Sequence, residues 1–525
     1  MTQPVFAPDV IAALRQALRR DFGSAAVAEA LGTGGEAALS RSDLSAVNRL
    51  TRGGSPTETW IRLFVLGLPV STDDAGAALR PLSVEAALAA GLLEPVTETA
   101  GSNDRVRAAL DVRPYSEVDG PDWWVVSDLG SDVRPGRLDP EHVLGIGSAA
   151  TTLAQCTVRS PVARALDIGT GCGVQALHLS RHSGAVTATD LSTRALGLAA
   201  TTAALNELAW DLRQGSLLEP VAGERFDLIV SNPPFIVGPG FAPGRDGYTY
   251  RDSGMAADSV SAWLVRRLPG LLTEGGTAQL LANWALTGDE PWQDRLAGWL
   301  PGTGCEAWVW QREVTDPGEY VSLWLRDAGE RPGTESWRAR YDRWLDWFTD
   351  AGVLGVGMGL VSMRRTGAAR TEVVCEDVPQ PYERPAGAEI EGWFARRFWL
   401  RGSGRDGLLG ARLRVDADLI QTTHALIGAE GWQPALVQLR RSHGMRWELE
   451  VDEAVSGLVA ACDGTATLGV LLSVIASAVS APLADVITAL TPVVVDLIER
   501  GFVAPNDLPT PEPLTALDHL PAVQG

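Results

Sequence analysis

Apolar positions fall at helical spacing near the start of the chain, in short strand-like runs through its middle, and in a mixture of both towards its end. Residues 11–22 repeat apolar side chains every three to four positions, with arginines on one face, which predicts an amphipathic helix. Ser42-Asp43-Leu44 and Ser55-Pro56-Thr57 read as helix starts, because a small hydroxyl or carboxyl side chain there accepts a free first-turn N–H. Residues 82–93 repeat the helical pattern. Residues 106–112 and 122–127 read as two strands joined by a Gly- and Asp-rich turn. Helices followed by a β-ribbon make residues 1–135 a mainly helical, winged-helix-like module, a form suited to binding nucleic acid or protein.

From residue 141 to 375 the pattern changes. Apolar runs at 163–168, 185–189 and 226–231 alternate with helical stretches, which predicts an α/β unit with a parallel, Rossmann-like sheet. A helix at 255–272, strands at 278–282, 308–311 and 355–363, and a tryptophan-rich amphipathic helix at 337–348 complete it. Residues 132–140 read as a linker. Residues 376–505 form a third unit, a second winged-helix-like module in which segments 389–400, 406–415 and 438–451 alternate as strands and short helices. Residues 506–525 are Pro-rich and are expected to be a disordered tail.

The chemistry concentrates after the first two strands of the middle unit. The strand ending at Ile168 runs into Gly169-Thr170-Gly171-Cys172-Gly173. Alternate glycines let the backbone approach a ligand that a Cβ would hold off, and the next helix turns its free N–H groups to the same place. Asp190, about twenty residues on at the end of the second strand, stands where ribose hydroxyls are held in doubly wound folds. Both features fit an adenosine-containing cofactor, although a glycine turn by itself also occurs in other α/β domains. The GxGxG spacing favours S-adenosylmethionine over a dinucleotide, since there is no pyrophosphate to cradle. Asp167 offers a carboxylate to the ammonium of its amino-acid part.

The strand at 226–231 ends in Asn232-Pro233-Pro234-Phe235. Two prolines hold the chain rigid just past a strand end, where ligands bind in open parallel sheets. The Asn232 side-chain oxygen and the Pro233 carbonyl can each accept a hydrogen bond from one planar NH2 group, aiming the nitrogen lone pair at a methyl donor. Phe235 can stack on the plane that carries the nitrogen. Such a site works by positioning and electrostatics.

These residues resemble the class I S-adenosylmethionine-dependent methyltransferases of the small-domain group, which includes release-factor glutamine methyltransferases and adenine and guanine N-methyltransferases of RNA. The resemblance spans residues 144–365. It implies that Asp167, Gly169, Thr170, Gly171, Gly173, Asp190, Ser216 and Asn232 contact the cofactor, and that Asn232, Pro233, Pro234 and Phe235 are the catalytic corner. Two positions depart from the group. Where an acid commonly meets the adenine amino group, this chain has Gly215-Ser216-Leu217, leaving Ser216 and the backbone for that contact. Phe235 replaces the tyrosine usual in the glutamine methyltransferases, and phenylalanine is commoner where the target is a nucleobase.

Charge narrows the partner. The 525 residues carry a net charge of −21 and no lysine, which argues against broad electrostatic binding of nucleic acid. Arg15, Arg19, Arg20, Arg41, Arg49 and Arg52 form either a local basic face or a solvated helix surface. The acidity leans to a protein partner, a release factor or other translation component with its glutamine as the acceptor, while Phe235 and the flanking winged-helix-like modules lean to nucleic acid. A structured RNA, or DNA with a flipped base, is the alternative. A binding module that kept the fold without catalysis is the reading of another class. The five scattered cysteines imply neither zinc nor a disulfide framework, and no metal is expected. No apolar run reaches bilayer length and the N-terminus lacks a leader pattern, so a cytoplasmic protein without membrane contact is expected. His142 and the loop bearing Tyr250 and Arg251 lie near the site in sequence. His142 reads as a loop histidine, and the loop as either a substrate-reading lid or a connector.

Overall fold

The computed structural model describes residues 2–508 except 42, 97–103, 117–119, 132, 135, 137, 242–246, 253, 368–370 and 429–430. Most of the expected C-terminal tail, parts of the 132–140 linker and the middle of the loop after Phe235 therefore lie outside the described residues. Contacts divide the chain into two units: residues 1–154 with 161–378, and residues 155–160 with those from 379 onward.

The first unit is organised by an eight-stranded sheet. Its strands in chain order are β1 (Val162–Ile168), β2 (Ser183–Asp190), β3 (Asp211–Gln214), β4 (Phe226–Ser231), β5 (Leu272–Thr287), β6 (Cys305–Thr315), β7 (Val353–Arg365) and β8 (Glu372–Asp377). Across the sheet they run β3-β2-β1-β4-β5-β7-β6-β8. All are parallel except β7, which runs antiparallel to both neighbours. The continuous apolar runs of β1 and β4 follow from burial on both faces of a parallel sheet.

The strand order reverses between β1 and β4, with Ile168 paired to Ser231. Their carboxyl ends are thus side by side, at the switch point where open α/β sheets bind ligands. Strand β8 falls where the sequence suggests a domain boundary. It pairs in parallel with β6, from Glu306 opposite Glu372 to Gln311 opposite Asp377. The tryptophan-rich helix, Glu335–Asp350, buries Trp337, Trp344 and Phe348, as its spacing predicts.

The N-terminal helices begin where the capping residues say. The Asp43 side chain accepts from the Ala46 N–H, and Ser55 with Glu58 closes a reciprocal capping box. The strand expected at 106–112 is two strands. Arg105–Ala108 lies at the centre of a three-stranded sheet, while Asp111–Ser116 pairs with Asp122–Ser127 as a hairpin. The break falls where the Ala109 N–H turns to the Leu92 carbonyl, so one apolar run serves two sheets.

These elements share a core with the sheet unit. Leu14, Phe22, Trp60 and Phe64 belong to one apolar cluster with Val174, Leu177 and Leu198. Three of the N-terminal arginines pair within the protein, while Arg41, Arg49 and Arg52 are exposed. Arg15 donates from Nε to the Leu205 carbonyl (3.1 Å) at the end of the Thr193–Leu205 helix, and both Arg15 and Arg19 pair with Glu207. Arg20 donates to the carbonyls of Ala78 and Arg80 (2.9 and 2.7 Å).

In the second unit, Gly387–Gly410 is two helical stretches that meet at Gly404, whose backbone is non-helical (φ 60°), a break that falls between the expected segments 389–400 and 406–415. The first stretch buries Ile390, Trp393 and Phe394, and its Glu389 pairs with Arg396 and Arg441 at 2.8 and 3.0 Å. Burial of these apolar side chains accounts for helix where the local pattern is mixed. Strands Leu419–Gly428, Gly431–Arg441 and Glu448–Val451 make an antiparallel meander. Arg412–Val415 sits between Asp463–Thr467 and Val503–Pro505 in a second small sheet. Among the described residues no helix is long and apolar enough to cross a membrane.

Candidate functional site

The glycine loop leaves β1 in a conformation that needs glycine. Gly169, Gly171 and Gly173 have φ of 72°, 56° and 93°. The end of β2 holds it in place. The Gly169 and Thr170 N–H groups both donate to the Thr189 carbonyl, and the Gly171 N–H donates to Asp190 Oδ2, each at 2.9 Å. At Gly173 a Cβ would lie 2.6 Å from the Trp210 ring. Gly173→Ala is therefore expected to lower the unfolding free energy by about 2 kcal/mol, read as a shift of the denaturant midpoint. An unchanged midpoint would contradict this packing.

Asp167 is fully buried behind the loop. Its Oδ2 accepts from the Thr170 hydroxyl at 2.6 Å, and its Oδ1 has no hydrogen-bond partner among the described residues. Burial, with repulsion from Asp190 added, raises its pKa to about 7. Asp190 takes the Gly171 N–H on one oxygen and the Ser192 N–H on the other (2.9 Å). Burial pushes its pKa up as well, and these backbone donors hold it down.

The corner after β4 is fixed from both sides. Ser231 Oγ donates to the Ile168 carbonyl at 2.9 Å, tying the two strand ends together. Beyond the prolines, the Val237 N–H and the Asn283 Nδ2–H both donate to the Tyr320 hydroxyl at 2.9 Å. Trp344 Nε1–H donates to the Val237 carbonyl at 3.2 Å. Between these anchors Asn232 Oδ1 is buried and has no hydrogen-bond partner among the described residues. Phe235 is half-buried, with its ring edge-on to Trp324 at 6.2 Å.

A cavity of about 260 Å³ brings most of the expected residues together. Gly169, Thr170, Gly171, Asp190 and Ser216 line it along one stretch, and Asn232, Pro233 and Pro234 along another. Of the expected residues, Asp167, Gly173 and Phe235 are not in that lining. Beside Ser216, Leu217 also lines the cavity in a left-handed conformation (φ 47°). Sequence reasoning passed over Gln175, whose Nε2–H donates to the Ala150 carbonyl at 2.7 Å, and assigned no role to His142. It also missed Tyr320 and Asn283, which reach the corner from distant elements.

The arrangement fits S-adenosylmethionine. The positive-φ glycines leave room for close backbone approach, the buried Asp167 carboxyl has an oxygen without a partner among the described residues, and Asp190 stands at the end of β2.

Three family descriptions match parts of the chain. "Methyltransferase small domain" matches residues 144–242, while domains of unknown function match residues 19–109 (DUF7059) and 391–505 (DUF7782). The release factor glutamine methyltransferase of Deinococcus radiodurans is 41% identical over 125 residues, 23% of this chain and 43% of that protein. The ribosomal RNA small subunit methyltransferase C of Klebsiella pneumoniae is 36% identical over 122 residues, 23% of this chain and 31% of that one. The chain spans less than half the length of each of these relatives. Among solved structures, a ribosomal protein L11 methylase from Lactobacillus delbrueckii shares 25% identity over 25% of this chain and 57% of that one, with a TM-score of 0.19. A T. thermophilus 16S rRNA methyltransferase in complex with AdoMet and guanosine shares 18% over 44% and 58%, with a TM-score of 0.25. By its glycine loop, its Asn-Pro-Pro-Phe corner and its family match, the stretch 144–242 belongs to the class I S-adenosylmethionine-dependent methyltransferases of the small-domain group.

Proposed function

We propose that the chain is an S-adenosylmethionine-dependent N-methyltransferase that acts on a planar NH2 group, with a protein glutamine side chain as acceptor. The observation that carries this reading is Asn232 Oδ1, a buried acceptor without a partner among the described residues, at a corner that lines the same cavity as the glycine loop. A buried carbonyl left unpaired costs about 1–3 kcal/mol, which an incoming N–H donor offsets. The cofactor supplies a methyl group already activated on a sulfonium. The protein's part is to align the acceptor nitrogen with Asn232 and the Pro233 carbonyl, and to exclude water. Phe235, edge-on to Trp324, is the candidate to meet the acceptor's plane as it enters.

Two observations favour protein over RNA. Arg15, Arg19 and Arg20, the start of the suspected basic face, pair within the protein. The chain as a whole is strongly acidic. On this reading the flanking segments dock a release factor or another translation component. Methyl-labelled cofactor, the purified chain and an extract from cells lacking it test the assignment. Label lost to protease and kept through ribonuclease is expected. Label lost to ribonuclease would move the acceptor to RNA, the activity named for the Klebsiella relative. No label, with cofactor bound, would favour a non-catalytic binding module.

The Asp167 carboxyl gives a further test. It holds its proton up to about pH 7, and pairing with the cofactor ammonium requires it ionised. Affinity should therefore rise about ten-fold from roughly pH 6 to 8, with a proton released on binding below neutrality. Calorimetry in buffers of different ionisation heat reads both. A flat profile in the native chain, or the same slope in Asp167→Asn, would contradict the pairing.

A further inference from the structure

His142 lies in the wall of the cavity and is 6% exposed. Its Nε2 is buried with no hydrogen-bond partner among the described residues. Its Nδ1 faces Asp128 Oδ2 at 3.9 Å, and Asp128 is itself held by Arg194 and the Val143 N–H. The ring meets Tyr250 edge-on at 6.2 Å, and the Tyr250 hydroxyl donates to Asp327 at 2.6 Å. A carboxylate beyond Nδ1 favours the tautomer with its proton there, which leaves Nε2 as an acceptor.

We infer that His142 Nε2 takes the proton shed by the acceptor nitrogen when it is methylated. The inference rests on the N-methyltransferase reading above and adds a catalytic residue to it. As the N–C bond forms and the C–S bond opens with its electron pair left on sulfur, one N–H bond must break. The proton passes to Nε2, the imidazolium is stabilised by Asp128, and the proton leaves to solvent with the product. An amide nitrogen makes this step necessary, because its methylated cation cannot persist.

Burial holds the His142 pKa below its ordinary value, with Asp128, Asp327 and Asp139 pulling it up and Arg194 pushing it down. The ring is therefore neutral and ready to accept at neutral pH.

The test is single-turnover transfer from methyl-labelled S-adenosylmethionine to the extract described above, against pH, for the native chain and His142→Gln. Cofactor affinity, measured separately, should stay within about two-fold and so report an intact fold. The transfer rate should fall about 100-fold. At saturating cofactor, which removes the Asp167 effect on binding, the native rate should drop as pH falls below the ordinary histidine range, and that limb should be absent in His142→Gln. Equal rates, or the same acid limb in both, would overturn the proton-acceptor role and leave the N-methyltransferase reading standing. Absence of transfer by the native chain would instead overturn that reading, and this inference with it. A second measurement needs no acceptor. In the ¹⁵N spectrum of the full chain with S-adenosylhomocysteine, the resonance lost in His142→Gln should show a proton on Nδ1 and none on Nε2. The reverse tautomer would overturn the role.

Discussion

Asn232→Ala is expected to abolish methyl transfer, by at least about 10³-fold, while cofactor affinity changes less than about three-fold. The split follows from where the side chain sits. Asn232 leaves β4 beside the glycine loop, but the loop is held by Thr189 and Asp190, with no hydrogen bond from the Asn232 side chain among the described residues. Its carbonyl oxygen is buried and has no partner among the described residues, and the residue lines the cavity. Removing it takes away a contact made to the acceptor nitrogen and leaves the cofactor cradle intact. Asn232→Asp keeps the oxygen and adds a charge, so it should retain part of the rate. Single-turnover rates with calorimetric binding separate the two quantities. An Asn232→Ala chain that transfers at the native rate would remove the corner from the chemistry.

Asp190→Ala should have the opposite profile, weakening cofactor binding about 100-fold. The carboxylate does two jobs. It shapes the loop through the Gly171 and Ser192 N–H groups, and it lines the cavity where ribose hydroxyls would come. Two charge-assisted hydrogen bonds of about 1.5–3 kcal/mol each are at stake, part of which water restores. Asp190→Asn keeps one acceptor oxygen and should lose only about ten-fold. The comparison is read by titrating S-adenosylhomocysteine into each variant, with the denaturant midpoint as a fold control. Native affinity in Asp190→Ala would mean that the ribose lies elsewhere.

The parts of the site legible in the sequence are those written in local spacing. A glycine at a positive φ must be glycine, a double proline must stop a strand, and an acid at the next strand end falls about twenty residues on. Gly169 to Gly173, Asp190 and Asn232 to Pro234 follow from such rules. The groups that brace them do not. Tyr320 and Asn283 meet at Val237 only because β5 and the helix Pro317–Asp327 come together in three dimensions. Trp210 packs on Gly173 in the same way.

The same limit governed the flanks. Periodicity placed the arginines of residues 11–22 on one face but could not say that this face meets the end of the Thr193–Leu205 helix. It read residues 106–112 as one strand because nothing local marks the change of sheet at Ala109. It divided residues 389–400 from 406–415, and the helix does break between them at Gly404, where Gly402, Gly404 and Gly407 weaken the helical signal.

The most direct test of the account is the identity of the methylated atom. The labelled product of the extract assay, made with trideuteromethyl cofactor, would be digested and the modified residue fragmented by mass spectrometry. The expected result is one deuterated methyl on an NH2-type nitrogen, the side-chain amide of a glutamine. A methyl on carbon, oxygen or a ring nitrogen would contradict the role given to Asn232 and the Pro233 carbonyl.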